Sequence, residues 1–319
     1  MEQLPELPIT LLAIPLFAAA MLCEVIVGKW RNTAKYETRD TLLSLIMGLI
    51  GVLEGLLSAS AYGAILFFFY QYRITDIEFS WLAVAVCFVL EDLKYYWIHR
   101  IEHRVRWMWA SHVNHHSSQH YNLSTALRQT WTFFFTGLIV LSIPLVLLGF
   151  NPAIVAFCAG VNLAYQFFIH TETVGKLPKW IEAIMNTPSH HRVHHGSNPK
   201  YLDANYAGVF IIWDNIFDTF VPEDPKEPCR YGIVQNLNTF NILVAEFHEW
   251  IAVFKDISQP GISFKDRICY MFKPPGWSHD GSRQTADMIK QQHVRLIPET
   301  AGQPGLPQPA SYARHAEQN

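Results

Sequence analysis

Residues 41 to 70 carry a single charge, Glu54, in an otherwise mostly apolar run. A bilayer core takes about 20 apolar residues as helix, so this run is long enough to cross one. Four more runs repeat the pattern. Residues 9 to 28 are interrupted by Glu24, and residues 80 to 98 carry Glu91, Asp92 and Lys94 near their end. Residues 131 to 150 and 152 to 170 flank Asn151-Pro152. Half of the residues are hydrophobic and 16% are charged, which is low for a chain that folds in water. The expected fold is all-α: polytopic membrane helices, four or five spans, with a cytosolic helical cap. The run at 41 to 70 reads either as one long tilted helix or as a tight hairpin turning at Ser58 to Ser60.

Charge sets the expected orientation. Met1 to Pro8 holds no Lys or Arg, and no small-residue cleavage site follows, so the first run reads as a retained span rather than a secretory signal. Lys29, Arg31, Lys35 and Arg39 follow it, and Arg100, Arg104, Arg106 and Arg128 follow the third run, while the loop at 71 to 79 has only Arg73. The positive-inside rule then places the first two groups in the cytoplasm and the loop outside. Everything after His170 returns to the cytoplasmic side.

Three histidine clusters fall on that side. They are His99 and His103 in HRIEH, His112, His115 and His116 in HVNHH, and His191, His194 and His195 in HRVHH. A helix turns about 100° per residue, so a spacing of four stacks two side chains on one face. In HxxHH the first histidine lies roughly 60° from one partner and 40° from the other, so each cluster is expected to aim at one point. Histidine is the commonest metal ligand. Eight in three sets exceed the needs of one ion and imply two. His170, at the end of the fifth run, is a further candidate ligand, because a histidine at a membrane interface is functional by default. His190 remains an alternative to His191, since it lies four residues before His194. His120 breaks the spacing and reads as a surface group.

Other residues are candidates for support. Asp92, Tyr96, His99 and His103 share one helical face, with Asp92 about 10 Å below His99. Asp92 is placed either to orient a histidine from another cluster, as metal-bound imidazoles require, or to pair with Tyr96 at the interface. Asn122, with Ser124, Thr125 and Arg128, either lines an access route or caps the next helix. Thr187-Pro188 reads as N-cap and first residue of the helix carrying the third cluster. Residues 238 to 257 read as an amphipathic helix.

Other chemistries find no support. The five cysteines form no CxxC, no glycine-rich phosphate loop is present, and a net charge of −3 without a basic cluster gives no nucleic-acid partner. Neutral imidazoles suit iron, zinc, copper or nickel. No carboxylate sits at ligand spacing inside the clusters, which argues against a hydrolytic metal pair. An all-histidine pair at a membrane face suits oxygen chemistry on a lipid, with iron as the preferred metal. The two electrons must come from an external donor, because no flavin, nucleotide or haem motif is present. A histidine-rich metal transporter is the non-enzymatic alternative, and it should instead line a pore with its histidines.

The stretches YYWIHRIEH, WASHVNHHSSQHYNLSTALRQ, FFIHTE, NTPSHHRVHHG and NYAGVFIIWDNIF resemble the fatty acid hydroxylase/sterol desaturase superfamily of membrane di-iron enzymes. They cover roughly residues 90 to 222, and a weaker likeness continues through NTFNI and KPPGW. The resemblance implies that the eight cluster histidines are iron ligands. It matches His170 to the family's HTE stretch and Asp214 to its WD dipeptide. Within the superfamily the likeness is strongest to the members that cleave glyceryl ethers, which implies hydroxylation of the carbon beside the ether oxygen. The implied partners are a membrane lipid, O2 and an electron donor, tetrahydrobiopterin in the animal enzymes. Sterol or fatty acyl hydroxylation and desaturation are the alternatives within the same superfamily. The expected division is residues 1–80 as membrane spans, 81–222 as the catalytic domain, 223–297 as a cytosolic extension and 298–319 as a disordered tail.

Overall fold

The computed structural model describes residues 9–31, 33 and 35–300. Among these residues the fold is all-α, and β-type pairing is confined to two isolated bridges, Met185 with Phe210 and Gly196 with Tyr231. The flank before Ile9 lies outside the described residues, as does the tail after Thr300.

Two apolar helices lead in. α1 spans Ile14–Arg31. α2 spans Thr38–Tyr70 as one unbroken helix of 33 residues, so no hairpin forms at Ser58 to Ser60. The run holds no proline, and the Ser58 hydroxyl donates back to Gly55 O at 3.4 Å without breaking the helix. At about 1.5 Å per residue, α2 is roughly 50 Å long and exceeds the bilayer core. Leu49, Leu53, Leu56, Leu57, Phe67 and Phe68 are exposed along it. Gly48 allows close approach: a Cβ there would lie 2.7 Å from Leu127 O.

α3 spans Trp81–Arg104 and α4 spans Arg106–His116. One extended residue, Val105 (φ −124°, ψ 115°), separates them and folds α4 back on α3. This reversal brings the first two histidine clusters side by side. α5, Pro152–Ile169, starts from an Asn151 cap whose side chain accepts Ala153 N–H at 2.9 Å, and it packs along α3. α2 and α5 are each long and apolar enough to cross a membrane. With so much apolar surface turned outward on α2, they associate the chain with a bilayer.

The run at 131 to 150 is not a single helix. It forms 3-10 turns at Phe133–Thr136 and Leu138–Ser142 and becomes α-helical only at Ile143–Leu148. Gly137, at φ 70°, ends one turn and opens the next. The Thr136 hydroxyl donates to Phe133 O at 2.6 Å, a local bond that competes with α-helical pairing. Leu66 of α2, Cys87 of α3, Val146 and Cys158 of α5 pack the main apolar core. All five cysteines are free.

α6, Pro188–His194, carries the third cluster. Thr187 occupies the N-cap position, but its hydroxyl donates to Glu182 Oε1 (2.8 Å) rather than capping the helix. The C-terminal part holds α7 (Ile242–Ile257), α8 (Phe264–Phe272) and α9 (Ala286–Thr300). The Asn241 side chain caps α7 by accepting from Leu243 and Val244.

Candidate metal centre

Nine imidazoles gather in two groups. His99, His103, His112, His116 and His194 form one, and His115, His170, His191 and His195 the other; within each, one nitrogen per ring lies within 4.8 Å of all the others. Each HxxHH cluster therefore divides instead of aiming at one point. The i, i+4 pairs stay together, His112 with His116 and His191 with His195. The intervening rings, His115 and His194, go to the opposite group, because adjacent residues diverge by about 100° on a helix. His170 joins the second group. His190 joins neither: its Nε2 lies 2.9 Å from Glu182 Oε2. His120, half-buried, also stands outside both groups.

The rings share one orientation. The close contacts run through Nε2: His112 with His99 (3.2 Å) and His116 (3.1 Å), and His194 with His116 (3.1 Å). In the second group His170 is the hub, with His191 at 3.0 Å and His115 and His195 at 3.2 Å. In four rings the Nδ1 side faces a backbone carbonyl. His99 donates to Tyr206 O (2.9 Å), His194 to Ala204 O (3.0 Å), His115 to Arg128 O (3.3 Å) and His170 to Gln166 O (2.7 Å). A carbonyl only accepts, so these four rings carry hydrogen on Nδ1 and a lone pair on Nε2.

That assignment is the test of fit for a metal. His115 and His170 point lone pairs at each other, and no proton is left to bridge them. Burial pushes the imidazolium forms of His112, His115, His116, His191, His194 and His195 well below the ordinary histidine range, and the neighbouring rings push the same way. Burial brings His170 down to about 4. These rings are neutral at pH 7, the form that ligates. With imidazole–metal bonds of about 2.0–2.1 Å, ligands at right angles stand about 3.0 Å apart and tetrahedral ones about 3.4 Å. The observed Nε2 separations of 3.0 to 3.2 Å fall in that range. The buried His103 Nε2, which has no protein partner, completes the first donor set. Both sets fit a metal ion.

A second layer holds the loop that orients the rings. Asp214 accepts from Tyr206 N and Ala207 N, each at 2.8 Å. Asp92 accepts from Val209 N (2.8 Å), Phe210 N (3.0 Å), Trp213 Nε1 (2.9 Å) and Asn162 Nδ2 (2.7 Å). Asp92 therefore orients no histidine directly and does not pair with Tyr96. It fixes one end of the loop whose carbonyls, at Ala204 and Tyr206, hold His194 and His99. Asn162 also accepts from Gln166 Nε2 (2.6 Å), one turn before His170. Gly208 makes this clamp possible: a Cβ there would meet Asn162 Oδ1 at 2.6 Å and Asp92 Oδ1 at 2.8 Å.

Tyr96 bonds instead to Thr219 Oγ1 (2.9 Å) and Arg100 (3.0 Å). Asn122 caps the 3-10 turn Leu123–Leu127 and donates to Lys35 O at 2.9 Å. Arg128 is buried against Asp40, Ser44 and Ser117 while its carbonyl takes His115. Sequence reasoning missed Asp203 and Glu102. Asp203 Oδ1 lies 3.4 Å from His103 Nδ1, and Glu102 Oε2 lies 3.5 Å from His112 Nδ1. Glu102 sits inside HRIEH, where its carboxylate was a visible signal. Asp203 had none, since it reaches His103 only through the tertiary fold.

Residues 84–219 match the family model described as fatty acid hydroxylase. Human alkylglycerol monooxygenase is 40% identical over 273 residues, 83% of this chain and 59% of the human protein. The Danio rerio protein of the same name is 39% identical over 275 residues, again 83% of this chain and 59% of its own length. The Xenopus tropicalis protein, also an alkylglycerol monooxygenase, is 41% identical over 220 residues, 65% of this chain and 45% of its own length. The chain thus spans about 59% of the length of the first two relatives. No solved structure matches it significantly. The segment that carries all nine clustered histidines, residues 84–219, belongs to the fatty acid hydroxylase family.

Proposed function

We propose that this chain is a multi-pass membrane, O2-dependent lipid monooxygenase that hydroxylates the ether-adjacent carbon of glyceryl ethers. The observation that carries the reading is the pair of buried all-imidazole groups in a chain about 40% identical to the human alkylglycerol monooxygenase. His99, His103, His112, His116 and His194 would hold one iron, and His115, His170, His191 and His195 the other. The two irons would supply oxygen activation and redox capacity that no side chain here has. Residues 81–222 form the catalytic unit in this reading, with the histidines on the cytoplasmic side.

The protein's own part is to bind, orient and keep dry. Carbonyls of Ala204, Tyr206, Arg128 and Gln166 fix the tautomers of His194, His99, His115 and His170 so that these four lone pairs face inward. Asp92 and Asp214 keep the 204–210 loop from moving. Burial keeps the rings neutral. Hydroxylation consumes one lipid C–H bond, one O2, two electrons and two protons, and gives the hydroxylated lipid and water. The electrons come from a diffusible donor, tetrahydrobiopterin or another reductant. On a glyceryl ether the new hydroxyl shares its carbon with the ether oxygen. That hemiacetal releases the glycerol hydroxyl and leaves a fatty aldehyde.

The test supplies the reconstituted chain with an alkylglycerol, a tetrahydropterin and heavy-isotope oxygen gas, and reduces the aldehyde at once to the alcohol so that the label is kept. Labelled fatty alcohol is the expected product. Hydroxylation of a sterol or free fatty acid, with alkylglycerols untouched, would replace the substrate while leaving the chemistry. Iron-loaded protein that consumes no oxygen with any lipid or donor would overturn the enzyme reading.

A further inference from the structure

α7 turns an apolar stripe outward, unlike a helix packed on a water-soluble surface. Its inward side is mixed, with Ala245, Trp250 and Val253 buried beside two acids. Glu246 is buried and accepts from Asn114 Nδ2 (2.7 Å) and Thr130 Oγ1 (2.6 Å), and Asp256 is buried against Arg106 (2.6 Å). Its apolar side faces out. Leu243, Ile251 and Phe254 are exposed and lie within about 80° of arc. α8 repeats the pattern, with Phe264, Ile268 and Phe272 at spacings of four, all exposed. Phe264 is 78% exposed and Ile251 63% exposed. Lys255, Lys265 and Lys273 stand exposed on the same hairpin.

This stripe continues the surface of the membrane helices. Ala245 and Ile242 of α7 pack with Leu43 and Met47 of α2 and with Trp131. Trp107 stacks edge-on with Trp250 (4.8 Å) and Phe254 (6.0 Å), and its Nε1 donates to Phe135 O (3.1 Å). Phe134 and Phe135 are themselves exposed. Exposed aromatics run from the broken apolar segment onto α7, with tryptophans at the junction, where membrane-interface proteins concentrate them.

We propose that the α7–α8 hairpin lies in the headgroup region of the bilayer that α2 and α5 cross, its Leu243–Phe254 and Phe264–Phe272 stripes turned into lipid and its lysines toward the phosphates. The inference rests on the membrane reading of α2 and α5. An outward apolar face with a lysine flank is the signature of an interfacial helix. The hairpin is then not a free cytosolic extension. It grips α4, the helix of His112, His115 and His116, through Asn114–Glu246 and Arg106–Asp256, and sets the metal groups at the depth of the bilayer surface.

The experiment uses the full chain in lipid discs holding one chain each. Cysteines replace Ile251, Phe264 or Ile268 one at a time in a background where Cys23, Cys229 and Cys269 are changed to Ser and only the buried Cys87 and Cys158 remain, and they carry an environment-sensitive fluorophore. Leu57→Cys on α2 is the control within the span and Asp280→Cys the aqueous control, since Leu57 is 82% exposed and Asp280 is exposed. Hairpin positions should lose fluorescence to a nitroxide near the lipid headgroup, more than to one at the chain end, and stay protected from aqueous iodide. Leu57 should favour the chain-end nitroxide. Hairpin sites quenched by iodide, while Leu57 is quenched by lipid, would overturn the hairpin and leave the membrane reading intact. Protection from both quenchers would mean that protein covers the stripe, and would also overturn it. If Leu57 too escapes lipid quenching, the membrane reading fails and the hairpin falls with it.

Discussion

His115 and His170 face each other through Nε2 atoms 3.2 Å apart, and each donates its Nδ1–H to a backbone carbonyl. Two buried lone pairs at that distance repel unless a cation lies between them. His170→Ala should remove metal from the second group, which metal analysis would show as a drop from two ions per chain toward one. A variant that kept both ions would remove His170 from the ligand set.

Protons should compete with metal in a defined window. The folded-state pKa of His170 is brought down to about 4 by burial, against an ordinary value of about 6.5. Above pH 6.5 the ring is neutral in folded and unfolded chains, and its neutral burial carries no penalty. As pH falls from 6.5 toward 4, the unfolded chain takes up protons that the folded site refuses, so stability falls. Ligation needs the neutral ring, which the folded site keeps until pH nears 4, so metal should outlast the first loss of stability. Melting temperature should begin to fall below pH 6.5 and metal content only near pH 4; metal lost near pH 6 from a chain still folded would contradict this assignment.

Asp203 links the first group to the C-terminal helix. It lies 3.4 Å from His103 Nδ1 and 3.1 Å from Arg104, and Arg104 also pairs with Asp287 of α9. Asp203 adopts a left-handed backbone (φ 46°), which asparagine tolerates best among replacements. Asp203→Asn should therefore keep the fold and weaken metal binding by about 10–100-fold, the usual effect of losing an outer partner of a ligating histidine. The loss should be confined to one of the two ions, read by competition with a graded chelator.

Gly208→Ala tests the loop clamp. The added methyl would meet Asn162 and Asp92 oxygens and the Tyr95 ring, all closer than 3.0 Å. Overpacking of this kind costs about 1–3 kcal/mol. Because Asp92 holds the loop whose carbonyls orient His99 and His194, metal affinity should fall along with stability. A stable variant with normal metal content would show that the loop has slack.

What the sequence made legible was the chemistry of single elements. Helical spacing singled out HRIEH, HVNHH and HRVHH, and run length picked out α2 and α5. What it hid depends on tertiary contact. Nothing local announces that Val105 reverses the chain, so the division of each HxxHH between two groups could not be read. The partners of four rings are main-chain carbonyls, which carry no side-chain signature. Asp92 sits on the same helical face as His99, yet its partners are Asn162 and residues of the 209–213 segment, far along the chain. The run at 131 to 150 has the composition of a span, but Gly137 and the Thr136 hydroxyl give its backbone other bonds.

His190 and His191 are neighbours that spacing alone could not rank, and the fold separates them. His191 Nε2 lies 3.0 Å from His170 Nε2, in the second group. His190 turns about 100° away, and its Nε2 meets Glu182, which also accepts from Thr187 (2.8 Å) and Ser189 (2.7 Å). Glu182 thus anchors the start of α6 from outside the metal groups. His190→Gln should retain both ions and lose about 1–3 kcal/mol of stability, the penalty for a disturbed buried hydrogen-bond partner. His191→Gln should instead lose metal from the second group with a smaller change in the melting temperature of the metal-free chain. Metal analysis and chelator-stripped melts on the two variants separate the roles, and loss of metal from His190→Gln alone would exchange them.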